Sequence, residues 1–96
     1  MHYLDVYIQS VRIKNRVRLQ PLADQRIPLL FVSASRKSRL HWPVGTIFKA
    51  DLVLVKKEKI KNFYRLRKGQ KLERAIAYFD HNLQLQQNES FKLEQT

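Results

Sequence analysis

The stretch VRIKNRVRLQ, residues 11–20, sets apolar or neutral side chains at the odd positions (Val11, Ile13, Asn15, Val17, Leu19) and cations at Arg12, Lys14, Arg16 and Arg18. Alternation of this kind is the pattern of a β-strand with one buried face. Two geometries satisfy it. As a single extended strand, same-face residues lie roughly 6.6–6.8 Å apart and the four cations make a ladder roughly 20 Å long, a rail for a phosphate backbone. Alternatively the chain turns at Lys14-Asn15-Arg16, since Asn tolerates turn conformations, and the cations form a compact patch on two adjacent strands.

Upstream, Leu4, Val6 and Ile8 alternate with Asp5 and Tyr7, and the expected buried positions change from even to odd between Ile8 and Val11. A side chain changes face at every residue, so the change requires a β-bulge near Gln9-Ser10 or a break between strands. Downstream, residues 21–25 read as a loop and 27–34 as an apolar strand, with Pro28 near its start where a missing N–H does least harm. Residues 35–39, SRKSR, read as a basic, Ser-rich loop, and Pro43 and Gly45 suit a type I turn over 42–45. Residues 46–55 alternate and then become wholly apolar, as in a strand covered on both sides near its end. A charged turn (56–61) and a short strand (63–67) close the series at Lys68-Gly69.

From Gln70 the period changes: Leu72, Ala75, Ile76, Phe79 and Leu83 fall on one stripe of an amphipathic helix over 70–86. Residues 88–96 read as a polar tail, frayed or forming a short edge strand around Phe91 and Leu93. The expected fold is therefore mainly β: a small barrel or curled antiparallel sheet of four to five strands with one C-terminal helix. At 96 residues the chain holds one core, giving a single basic domain over 1–87. This series of strands with a basic face resembles, in architecture alone, the small β-barrels of the OB and SH3-like kinds.

Charge narrows the partner. Lys and Arg number 19 against 8 Asp and Glu, a net +11. Residues 1–69 hold 16 of those cations and 4 of the acids, so the basic surface belongs to the β-rich part. A field of that sign concentrates polyanions. The row at Arg12, Lys14, Arg16 and Arg18 is mostly Arg, the side chain shaped for bidentate phosphate contacts, and a second group, Arg36, Lys37 and Arg39, lies among serines whose hydroxyls also bond phosphate oxygens. Arg65 and Arg67 extend the basic surface on the 63–67 strand. Trp42 and Tyr64 are candidate stacking rings, with Tyr3, Tyr7 and Phe63 also available. The bland alternative is a solvated outer face with the rings in the core, and Lys56 to Lys61 is read that way.

Catalysis finds little support. His2, His41 and His81 have no metal-ligand spacing, and no G-x-S-x-G, Walker-type or G-x-G-x-x-G motif is present in a chain with two glycines. With no cysteine there is no thiolate site or disulfide. No cofactor or metal is expected. The N-terminus has no secretory pattern and no apolar run approaches membrane-spanning length, so a soluble cytoplasmic location without membrane association is expected. The leading expectation is a non-enzymatic nucleic-acid-binding protein, DNA or RNA, with single strands slightly preferred because no groove-reading helix is evident. A second is a small adaptor that meets an acidic protein partner or self-associates as a homodimer. A minor third is a metal-dependent nuclease using Asp51, with Glu58 a conceivable second carboxylate that no motif supports.

Overall fold

The computed structural model describes the backbone of residues 1–94 and the side chains of residues 1–88. The opening stretch turns. Lys14 and Asn15 both have positive φ, 49° and 65°, between β1 (His2–Ile13) and β2 (Arg16–Pro21). The two strands pair antiparallel, Ile13 opposite Arg16 and Ile8 opposite Pro21. Two consecutive left-handed residues give the primed hairpin turn, whose twist matches that of the strands it joins. The hairpin replaces the extended ladder because folding back sets Val17 and Leu19 beside β1 on the buried side, which a straight continuation would carry away from the core.

A non-glycine residue in the left-handed region is strained by about 1–2 kcal/mol. Lys14→Gly is therefore expected to stabilise the fold by up to about 1 kcal/mol after glycine's own entropic cost. Thermal unfolding checks the sign, since glycine in the middle of a continuous strand would destabilise.

Burial along β1 stays on even positions, Val6, Ile8 and Ser10, and β1 runs unbroken over His2–Ile13, so neither the bulge expected near Gln9-Ser10 nor the alternative break between strands occurs. Ser10, and not Val11, takes the inward place after Ile8 because its polar groups are used. Its N–H donates to the Thr46 carbonyl at 3.1 Å and its hydroxyl accepts from the Gly45 N–H at 3.1 Å. Val11 and Ile13 lie half-buried on the opposite face. The register instead breaks between Tyr3 and Val6 against β4, where Asp5 has φ 54°.

The remaining elements are β3 (Val32–Ser33), α1 (Arg36–Leu40), β4 (Ile47–Lys57), β5 (Ile60–Leu66), β6 (Glu73–Arg74), a 3-10 turn (Ile76–Tyr78) and α2 (Phe79–Glu94). Six strands, not four or five, make one sheet in the order β1-β2-β3-β5-β4-β6, and an extra β1–β4 pairing curls it into a ring. It is not wholly antiparallel, since β3 runs parallel to β5. Ile8, Leu19, Val32, Phe48, Leu52 and Tyr64 fill the interior. Tyr64 is 0% exposed. Its hydroxyl donates to the Pro28 carbonyl at 2.7 Å, and its ring meets Tyr3 edge-on at 5.6 Å.

Three segments depart from expectation for identifiable reasons. Of residues 27–34 only Val32 and Ser33 enter the sheet, while Ile27 and Leu30 reach the core from irregular chain on either side of Pro28. The SRKSR segment is helical because Ser35 caps it, its hydroxyl accepting from the Ser38 N–H at 3.1 Å. The turn before β4 sits one residue later than expected: the Thr46 N–H donates to the Pro43 carbonyl, and Gly45, at φ 101°, takes the third position as type II turns require.

The helix begins at Phe79 rather than Gln70 and takes in most of the segment read as a tail; Gln95 and Thr96 lie outside the described residues. The apolar stripe misled because it is not what the helix buries. Ile76 is 91% and Phe79 59% exposed. Asn82 is buried instead, its amide donating to the Ile47 carbonyl at 2.9 Å and accepting the Ile47 N–H at 2.8 Å. Glu73 and Arg74 leave the expected helix to pair with the edge of β4. Among the described residues no helix is long and apolar enough to cross a membrane.

Candidate nucleic-acid interface

Leu19, Val32 and Tyr64 form one cross-strand row through β2, β3 and β5, and all three point inward. Alternation then sends Arg16, Arg18, Ser33, Lys61, Phe63 and Arg65 to the outer face. Because β3 is only two residues long, irregular chain at 29–31 fills the space beside it. The result is an open groove of about 920 Å³ in which Arg16, Arg18, Arg39 and Lys61 meet Phe31 and Phe63, and among the described residues no acid lines it. The two ion pairs among the described residues, Lys49 with Asp5 and Arg67 with Asp51, lie outside the groove. Among the described residues, then, no acid neutralises its cations.

Two arginines of the groove are held in place. The Arg18 guanidinium sits 3.9 Å from the centroid of the Phe31 ring, a cation–π contact that keeps it against the groove floor. Arg39 reaches from α1 to donate through Nη1 to the Val17 carbonyl at 2.8 Å, tying the helix to β2. Its Nε is buried with no partner.

The nine basic residues singled out in sequence do not form one surface. Arg16, Arg18 and Arg39 line the groove, and Arg65 is exposed on the same face of β5 beside Ser33. Lys14 stands at the hairpin tip. Arg12 pairs with Val17, so it shares the inward-facing side of β1 and is exposed at the rim; the hairpin turn removes it from the row. Arg36 and Lys37 are exposed on α1, and Lys37 lines a separate cleft of about 360 Å³ with His41, Trp42 and Lys71. Arg67 is drawn to Asp51 at 3.7 Å.

The expected stacking rings lie outside the groove. Tyr64 is interior, and burial, together with nearby Tyr3, pushes its phenol above the ordinary value. Trp42 is half-buried under the Arg74 guanidinium at 3.8 Å and against the edge of His41, packed on the core and lining the second cleft. Tyr3 and Tyr7 are likewise engaged, with Tyr64 and Tyr78. Sequence reading missed Phe31, Lys61 and Asn62 as groove residues. Phe31 was hidden in a run read as a buried strand, and Lys61 in a cluster read as a solvated turn.

Asp51 has a structural occupation. One carboxylate oxygen accepts the Asp5 N–H at 2.9 Å, holding the β1 irregularity, and the other faces Arg67. Glu58 lies in the turn after β4, seven residues on and roughly 23 Å further along the strand direction. Among the described residues no three His, Asp or Glu side chains converge as metal ligands would. No family model, curated protein or solved structure matches the chain.

Proposed function

We propose that this protein binds nucleic acid without catalysing its cleavage, holding the phosphate backbone through the outer face of β2, β3 and β5. The observation that carries the reading is the groove in which Arg16, Arg18, Arg39 and Lys61 converge with no acid beside them among the described residues. Guanidinium and ammonium groups on an open face neutralise phosphates and release their counterions, which is the main source of sequence-independent affinity. The topology supports it. We read the ring in the order β1-β2-β3-β5-β4 closed by β1–β4, with β3 parallel to β5 and a helix between β3 and β4, as OB-like in arrangement, and OB folds bind oligonucleotides on the β2–β3 face between the loops joining β1 to β2 and β4 to β5. Both of those loops carry lysine here, Lys14 in one and Lys59 in the other. A cytoplasmic location, where such polymers are present, belongs to the same reading.

Four groove cations that each engage one phosphate give a slope of log K against log salt of about −3 on single strands and about −4 on B-DNA. Fluorescence anisotropy with labelled single-stranded DNA, duplex DNA and RNA, with heparin as a generic polyanion, tests this. Binding to at least one nucleic acid that is tighter than to heparin, with that slope, is the expected result. Equal or weaker binding than to heparin would reduce the face to a solubilising surface.

A second reading rests on Ile76 and Phe79, both exposed at the start of α2: an assembly subunit that self-associates through this apolar pair. It requires a dimer whose formation is insensitive to salt, because apolar contacts are not screened.

A further inference from the structure

We infer that the groove takes the unpaired bases of a single strand, and that Phe63 and the Arg18–Phe31 stack are the surfaces on which those bases lie. The inference rests on the phosphate-binding reading above and adds to it the part of the ligand that enters the groove.

Phosphates need cations and N–H donors. They do not need the apolar groups that share this groove. Phe31 and Phe63 are half-buried in it, and Leu29 and Ile60, at 66% and 57% exposure, stand among the lining residues. Four apolar side chains open to solvent inside a cationic rim fit a ligand that is anionic along its length and flat and apolar at intervals. A single-stranded polynucleotide has that chemistry. In a duplex each base has its faces covered by neighbouring pairs, so no ring can lie against it without unstacking.

Arg18 has a specific part in this. With its guanidinium 3.9 Å from the Phe31 centroid, one planar face is taken by the ring and the other is left for a base. Arginine planes stack on bases as aromatic rings do. Asn62 and Ser33, which also line the groove, offer donors and acceptors to base edges.

The test uses the full chain and three labelled oligomers of equal length: deoxythymidine, an abasic deoxyribose-phosphate strand, and uridine. Wild type is expected to bind the base-bearing strands more tightly than the abasic one, by roughly 5- to 150-fold for each stacked base, with parallel salt slopes. Arg18→Lys keeps the charge and loses the plane, so it is expected to narrow that gap with its slope unchanged; Phe31→Leu acts in the same direction. A gap seen with only one of the two sugars also supports the inference and identifies the polymer. Equal affinity for base-bearing and abasic strands, with the steep slope retained, would overturn base entry and leave phosphate binding standing. Failure to bind any of the three would overturn both.

Discussion

Replacing Arg16 and Arg18 together by glutamate is expected to weaken single-strand binding on the order of 10²–10³-fold at 0.1 M salt, while thermal stability changes little. Each reversal alters the local charge by two units, and each unit shifts the salt exponent by about 0.7 on a single strand, so four units carry nearly three decades at that concentration. Arg16 is exposed and Arg18 half-exposed on the outer face, so neither supports the core. Arg12→Glu is the internal control. It is an equally basic position of the same hairpin, but it shares the side of β1 that faces Val17, and its reversal is expected to cost far less. Comparable losses at Arg12 and at the Arg16–Arg18 pair would mean that long-range charge, and not the groove, governs binding.

Tyr64→Ala is expected to destabilise the fold by about 3–5 kcal/mol, the range for deleting a fully buried aromatic side chain. Tyr64 sits where β3 and β4 flank β5, paired with Val32 on one side and Leu54 on the other. Its removal leaves a cavity against Leu19, Leu52 and Val32 and strands the Pro28 carbonyl that its hydroxyl satisfies. In a domain whose total stability is about 5–15 kcal/mol, that is a large share. Urea unfolding measures it. The same phenol gives a pH signature. Burial raises its folded pKa above the ordinary 10.0, so the unfolded state ionises first; the contribution is complete below that value and is lost as pH rises through the folded pKa. Tyr64→Phe is expected to lose the hydrogen bond and to remove this share of the alkaline decline.

Much of the fold can be read from alternation. The mainly β character and the inward positions Val6, Ile8, Val17 and Leu19 follow from residue periods alone, whereas the period that announced a C-terminal helix set its start nine residues too early. Closure into a ring does not, because pairings such as Val32 with Tyr64 join residues far apart in sequence. Two polar residues hid the true register: Ser10 and Asn82 are buried through backbone hydrogen bonds that no hydropathy pattern reports. The opposite error came from Ile76 and Phe79, whose apolar spacing mimics a packed stripe although both face solvent. For the site, the arginine row was visible, but its division was not. That division depends on the turn at Lys14-Asn15, which carries Arg12 to one side of the sheet and Arg16 and Arg18 to the other. Phe31 and Lys61 meet those arginines because long-range pairing sets β3 beside β2 and β5 beside β3.

The most direct test of the groove as the nucleic-acid site is the salt dependence of single-strand affinity for wild type and for the Arg16→Ala/Arg18→Ala double variant. Loss of two phosphate contacts predicts a slope that falls from about −3 to about −1.5. A double variant with unchanged slope would place the bound phosphates elsewhere on the protein and contradict the assignment.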